Sequence, residues 1–218
     1  MRSDSDIKRD VEAELRWTPA IDAADIAVAV KDSVVTLTGF TKSFLQKYEA
    51  EDAVKRVAGV AGLANDIEVR LPAIDDRPDP EIARDAVAAI KAMLPYDWEK
   101  TRVVAKAGWI TLEGEVEWNY ERERAERAVR PVKGAKGVTN QIRVKPHVAP
   151  TEVKKKIEEA FKRNAEIDAN HIVVEADGSQ VTLKGTVRSW AERQEAQRAA
   201  WMAPGVAKVE NRIAVSPL

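Results

Sequence analysis

Apolar residues along this chain change their period in a fixed order, and the order occurs three times. A stripe at helical spacing comes first: Ile7, Val11 and Leu15, then Ile82, Ala86 and Ile90, then Val153, Ile157 and Phe161. Strand-like alternation follows, in Ile26, Val28 and Val30 and then in Val35 and Leu37. Lys31-Asp32-Ser33 and Ala176-Asp177-Gly178-Ser179 fit hairpin turns between such runs. A second helical stripe is built of small residues: Ala50, Ala53, Val54 and Val57, echoed by Ala125, Ala128, Val129 and Val132 and by Ala196, Ala199, Ala200 and Ala203. Side chains this small predict a helix lying close against a sheet.

The register between copies is constant. Val35-Thr36-Leu37-Thr38-Gly39, Ile110-Thr111-Leu112-Glu113-Gly114 and Val181-Thr182-Leu183-Lys184-Gly185 each precede an asparagine by 26 residues, at Asn65, Asn140 and Asn211. Those asparagines open short strand-like runs ending in Val69, Val144 and Val215. Ile21-Asp22, Tyr96-Asp97 and Ile167-Asp168 keep the same offsets of 75 and then 71. The difference falls in proline-bearing linkers, with Pro72, Pro78 and Pro80 in one and Pro146 and Pro150 in the other. The expectation is an α+β chain of three tandem α-β-β-α-β sandwich modules, each a three-stranded mixed sheet on two helices, over 1–72, 73–148 and 149–218.

Cap signals sharpen the elements. Asp79-Pro80-Glu81 reads as an N-cap followed by proline at the first helical position, and Thr151-Glu152 as the cap of the third copy. Ser43-x-x-Gln46 and Ser189-x-x-Glu192 are capping boxes opening the second helix, and Asn119 substitutes where the middle copy has Trp118. Gly59, Gly134 and Gly205 suit left-handed helix ends. Gly39, Gly114 and Gly185 end a strand where a missing Cβ permits a bulge or positive φ. Asn65, Asn140 and Asn211 suit side-chain turns, and Asp22, Asp97 and Asp168 close the exit turn of the first helix by accepting from backbone amides. These nine residues are read as structural.

Composition narrows the function. With 35 basic against 36 acidic residues there is no global field for nucleic acid or an anionic membrane, so a binding patch must be local. The absence of cysteine removes disulfides, thiolate nucleophiles and cysteine-ligated metals. The start of the chain shows no secretory h-region, which reads as cytoplasmic, or as periplasmic had a leader been removed; no run is apolar enough to span a bilayer. His147 and His171 have neither counterparts in other copies nor partners at ligand spacing, and Gly134-Ala135-Lys136-Gly137 follows a helix, the wrong setting for a phosphate loop. No catalytic, cofactor or metal site is expected.

Departures between copies mark candidate contact surface. Trp201 stands where the other copies have Lys55 and Arg130, Trp118 replaces a capping serine, Trp190 follows one, and Trp109 matches Val34 and Gln180. Aromatics at polar positions predict rings on the module surface, packed between modules or in a dimer, or offered to lipid or protein. Lys154-Lys155-Lys156 and the series Arg122, Arg124, Arg127 and Arg130 carry local positive charge, interleaved with glutamates as on solvated helix faces. Trp109, Trp118, Trp190, Trp201, Arg122, Lys154 and Lys155 are thus the candidate contact residues.

The residues together resemble the BON domain, named for bacterial osmotically inducible and nodulation proteins. The shared pattern is Ile-Asp, a hydrophobic strand, Val-x-Leu-x-Gly, an alanine-rich helix, Gly-Val at Gly59-Val60, Gly137-Val138 and Gly205-Val206, and Asn-x-Ile-x-Val. The resemblance covers nearly the whole chain apart from linkers. It implies an α-β-β-α-β sandwich without catalytic activity, in proteins of osmotic or envelope stress described as transport-associated. Implied partners are an anionic phospholipid surface or another protein, with self-assembly open; a relative joined to a LysM domain binds potassium, and no LysM segment is recognisable here.

Overall fold

The computed structural model describes residues 2–146 and 152–216. Among them six helices and three sheets follow the order read from the sequence. The first repeat runs α1 (Asp4–Trp17), β1 (Ile26–Lys31), β2 (Val34–Thr41), α2 (Phe44–Arg56) and β3 (Gly62–Val69). The second runs α3 (Asp79–Met93), β4 (Thr101–Lys106), β5 (Trp109–Val116), α4 (Asn119–Val129), β6 (Gly137–Asn140) and β7 (Arg143–Val144). The third runs α5 (Val153–Arg163), β8 (Ile172–Asp177), β9 (Gln180–Val187), α6 (Trp190–Trp201) and β10 (Lys208–Val215). Packing divides the chain into two compact units, one of Met1–Thr38, Ala50–Asp66 and Pro146–Leu218, the other of Gly39–Glu49 and Ile67–Lys145. The division passes through the first repeat.

Each sheet is ordered with the hairpin's second strand in the middle: β1-β2-β3, β4-β5-β6 and β10-β9-β8. β8 pairs antiparallel with β9 from Ile172↔Gly185 to Asp177↔Gln180, and β10 runs parallel to β9 from Lys208↔Gln180 to Val215↔Val187. The middle repeat keeps that register, Trp109↔Gly137 and Val116↔Val144, but its edge strand is interrupted into β6 and β7. The amide of Gln141 still donates to the Leu112 carbonyl at 2.7 Å across the interruption. Helices cover one sheet face. Val35, Leu37, Ile110, Leu112, Val181 and Leu183 point inward to Ala50, Ala53, Ala125, Ala196 and Ala200, all within 1% of complete burial.

The glycine closing each central-strand motif has a backbone reason. Gly39, Gly114 and Gly185 take φ of +114°, +134° and +122°, which side-chain-bearing residues rarely adopt. A Cβ on Gly185 would lie 2.0 Å from the His171 carbonyl oxygen, and one on Gly114 2.1 Å from that of Lys100. The hairpin's first strand therefore approaches its partner too closely for any side chain.

Some expected details differ. Gly59, Gly134 and Gly205 share φ near +90° (96°, 86° and 90°), so Gly134-Ala135 is the middle copy's Gly-Val step. Gly137 instead opens β6 beneath the Trp109 ring, where a Cβ would lie 2.3 Å from the indole. Tyr96 keeps its sequence register yet is 93% exposed, whereas Ile21 and Ile167 are buried. The cause is α3, which runs one residue beyond the register of α1 and brings Leu94, four after Ile90, round to the buried face. Asp79 does not cap α3; Pro78 holds that place and Asp79 begins the helix. Asn119 does not cap α4: its amide donates to Glu123 at 2.7 Å and its Oδ1 is buried without a partner. Thr151 lies outside the described residues, and Glu152 precedes α5 at φ +53° without a capping bond.

Gly185→Ala should lower unfolding free energy by about 3 kcal/mol through strain and hairpin displacement, while the exposed neighbour change Thr186→Ala moves it by less than about 0.5 kcal/mol. Urea titration followed by circular dichroism measures both, and equal midpoints would refute the close-approach argument.

Candidate interaction surfaces

The recurring asparagines tie the edge strand to the second helix. The Asn140 amide donates to the Arg122 carbonyl at 2.9 Å and to Glu126 at 3.1 Å, while its Oδ1 accepts from the Ile142 amide at 3.1 Å. Asn211 repeats this with Arg193, Gln197 and Ile213 at 3.2, 3.0 and 3.1 Å. Asn65 donates to Glu51 at 3.3 Å. Asn65 and Asn211 lie within β3 and β10 and not before them, because pairing begins three residues upstream.

A basic residue makes a second tie at the same helix position in two repeats. Lys47 donates to the Ile67 carbonyl at 2.6 Å, and Arg193 to the carbonyls of Ile213 and Asn211, both at 2.9 Å. Arg122 is the corresponding residue of the middle copy and is half-buried. Burial lowers the proton affinity of Arg122 and Arg193 from the ordinary arginine value, and both guanidiniums remain charged. Arg122 is thus drawn partly into the module.

Aspartates serve turns in two ways. Asp22 and Asp168 accept from the amides of Ala24 and Asn170, capping short 3-10 turns, and Asp168 also bonds the exposed His171 at 3.0 Å. Asp97 makes no such cap and pairs with Lys100 at 2.7 Å. The sequence reading assigned Asp79 only to its own helix and left Asp4 without a role; their carboxylates reach from the first helix to two hairpin amides each, Asp32 and Ser33 or Ala107 and Gly108, at 2.8–2.9 Å. Their identical offset was the available signal.

The tryptophans differ in exposure. Trp201 is 7% exposed, and its counterparts Lys55 and Arg130 are themselves largely covered, paired along their helices with Glu51 at 2.6 Å and Glu126 at 2.7 Å. Arg130 also stacks 3.5 Å over the ring of Tyr48 within the second unit. Charge at that position therefore did not mean exposure. Trp190 is half-buried under Arg193, 5.1 Å from its ring centroid. Trp109 and Trp118 are exposed, at opposite ends of β5 and so roughly 30 Å apart. Trp17 and Tyr96 are more open than either, and neither was singled out as contact surface from the sequence.

Lys154 and Lys155 are exposed on α5, where five cations stand against two glutamates. α1 carries three cations against five carboxylates and α3 two against three. Lys154 approaches Glu158 at 3.8 Å, while Lys155, Lys156, Lys162 and Arg163 have no ion-pair partner among the described residues. Lys155 and Lys162 lie opposite the buried stripe of Val153, Ile157 and Phe161. Lys156 and Arg163 flank a trough of about 780 Å³ between α5 and α6. No helix among the described residues is long and apolar enough to cross a membrane, and no His, Cys, Asp or Glu cluster among them could hold a metal. His147 lies outside the described residues.

Three copies of an open-faced module, their recurring polar residues engaged in turns and in helix–strand ties, define a small repeated α+β domain protein. The chain belongs to the BON domain family, whose model matches residues 3–70, 79–146 and 151–217. It is similar to Osmotically-inducible protein Y of Escherichia coli (strain K12), 31% identical over 151 residues, or 65% of this chain and 73% of that protein. Among solved structures, CdsD, a structural protein of the Type III secretion system of Chlamydia trachomatis, aligns over 98% of this chain and 93% of its own at 12% identity and TM-score 0.27. Its C-terminal domain aligns over 99% and 100% at 10% identity and TM-score 0.28. Scores this low carry no argument.

Two substitutions test the ties. Asn211→Ala should cost about 2 kcal/mol, since it strips partners from buried backbone groups; a denaturation midpoint equal to wild type would contradict this. Asp79 is held below the ordinary aspartate range by the Gly108 amide and then the Ala107 amide. Its bonds therefore stabilise the fold above the unfolded pKa and are lost as pH falls through the folded one. Asp79→Ala should melt lower than wild type at neutral pH, with the difference closing in acid; a difference constant down to strongly acidic pH is the contrary outcome.

Proposed function

We propose that this chain is a non-enzymatic binding component of osmotic or envelope stress that contacts anionic phospholipid surfaces through the outward face of α5. The observation that carries the reading is the charge of that helix, the first helix of its repeat, which is cationic where its two sisters are acidic. Lys154, Lys155 and Lys162 are exposed, and their apolar stems let the ammonium groups reach headgroups without disturbing the buried stripe. Each lysine held near such a surface contributes about 1 kcal/mol, so three suffice for weak, salt-dependent attachment. The family match and the name of the Escherichia coli relative support the stress setting. The module boundaries 1–72, 73–148 and 149–218 form part of the same reading, with α5 belonging to the third.

The test is co-sedimentation with phosphatidylglycerol vesicles beside phosphatidylcholine vesicles. Pelleting should require the anionic lipid and weaken as salt rises. Lys155→Glu with Lys162→Glu should reduce partitioning by more than tenfold, on the order of 1 kcal/mol per charge removed and more on reversal. Pelleting no greater than in the lipid-free control would end the proposal.

A further inference from the structure

We infer that the trough between α5 and α6 is a docking site for an acidic helical segment of a partner protein. This goes beyond the phospholipid reading and uses a different flank of α5. The floor is Ala160, Ala199 and Ala203, with the exposed Met202 at one side and Lys156, Arg163 and Arg198 around it. Of the carboxylates, Glu195 is engaged by Arg198 at 2.7 Å and by the Asn164 amide at 2.6 Å, leaving Glu166 at the rim. Lys156 and Arg163 face the trough without ion-pair partners among the described residues.

The first repeat shows the same place narrowed by a bridge. Its counterpart is a smaller hollow of about 570 Å³ lined by Glu14, Trp17, Thr18, Pro19 and Arg56, positions equivalent to Ala160, Arg163, Asn164, Ala165 and Met202. There Glu14 and Arg56 join across the helices at 3.0 Å, and Arg56 also donates to Thr18 at 3.3 Å. Arg2 lies over the same region, bonding Asp10 and the Ala58 carbonyl. In the third repeat Ala160 and Met202 remove the crossing bridge, and Lys156 reverses the charge of Asp10. A place that one copy fills with its own complementary charges is left open and cationic in the other.

The shape suits a helix. Two helices of 11 and 12 residues make a trough roughly 17 Å long. An alanine floor permits close backbone approach, and methionine adapts to an incoming side chain. Lys156 and Arg163 stand two turns apart, about 10 Å, matching carboxylates spaced i and i+7 along a helix laid beside them.

A labelled four-turn helical peptide with glutamates spaced i and i+7 beside alanine and leucine, and its glutamine counterpart, serve as probes for fluorescence anisotropy with the full chain. The glutamate peptide should bind saturably and the glutamine peptide about tenfold more weakly. Ala160→Glu with Met202→Arg, which installs the first repeat's bridge, should abolish peptide binding yet leave vesicle pelleting intact. Lys156→Glu with Arg163→Glu, surface changes that spare the core, should also abolish it, whereas Lys155→Glu with Lys162→Glu should leave it within about twofold. No saturable binding, or equal weakening by both charge-reversed pairs, overturns the proposal whatever the vesicles do. Loss of vesicle pelleting on closing the trough would make it a lipid site and overturn the peptide assignment.

Discussion

The fold of each repeat depends on seating a second helix close enough to one face of a three-stranded sheet to close a very small core. Alanines make the close seat possible, since they let the helix backbone approach where larger side chains would hold it away. The edge strand beneath that helix pairs with only one neighbour and needs a second anchor. The asparagine supplies it, joining helix to strand through its amide while its oxygen caps a strand amide two residues on. The basic residue four before the tie's helix acceptor side chain, Lys47 or Arg193, adds bonds to strand carbonyls. Polar chemistry that might have built a site is spent on holding a helix to an edge strand.

Threefold repetition also separates what the fold requires from what it merely permits. The positive-φ glycine, the asparagine tie and the alanine seat recur in every copy. The outward faces of the first helices do not: α1 and α3 carry net negative charge and α5 net positive charge. Variation on a constant scaffold is where a binding function would be written, because it costs the core nothing. The inter-helix hollow makes the same point in space, bridged by Glu14 and Arg56 in one repeat and open in another.

Much of this was legible in sequence, and each miss has a physical cause. Helices and strands followed from periodicity because burying one face forces the apolar spacing. The charged sisters of Trp201 gave no sign of its burial, because Lys55 and Arg130 themselves lie along covered helix surface with glutamate partners one turn away. Register alone did not show that Tyr96 lies outside the core, where one extra residue in α3 hands the buried position to Leu94. Asp79 was given to its own helix because a cap is a local motif, and its bonds run to a hairpin 28 residues away.

The sequence by itself determined the repeat, the order of elements in it, the inward faces and the positions needing glycine, because each follows from local spacing and backbone sterics. Tertiary structure decided which polar residues are consumed and which are left over. Arg122 and Trp201 turned inward while Lys155, Lys162, Lys156 and Arg163 kept their charges without ion-pair partners among the described residues, since exposure is settled by what packs beside a residue in space.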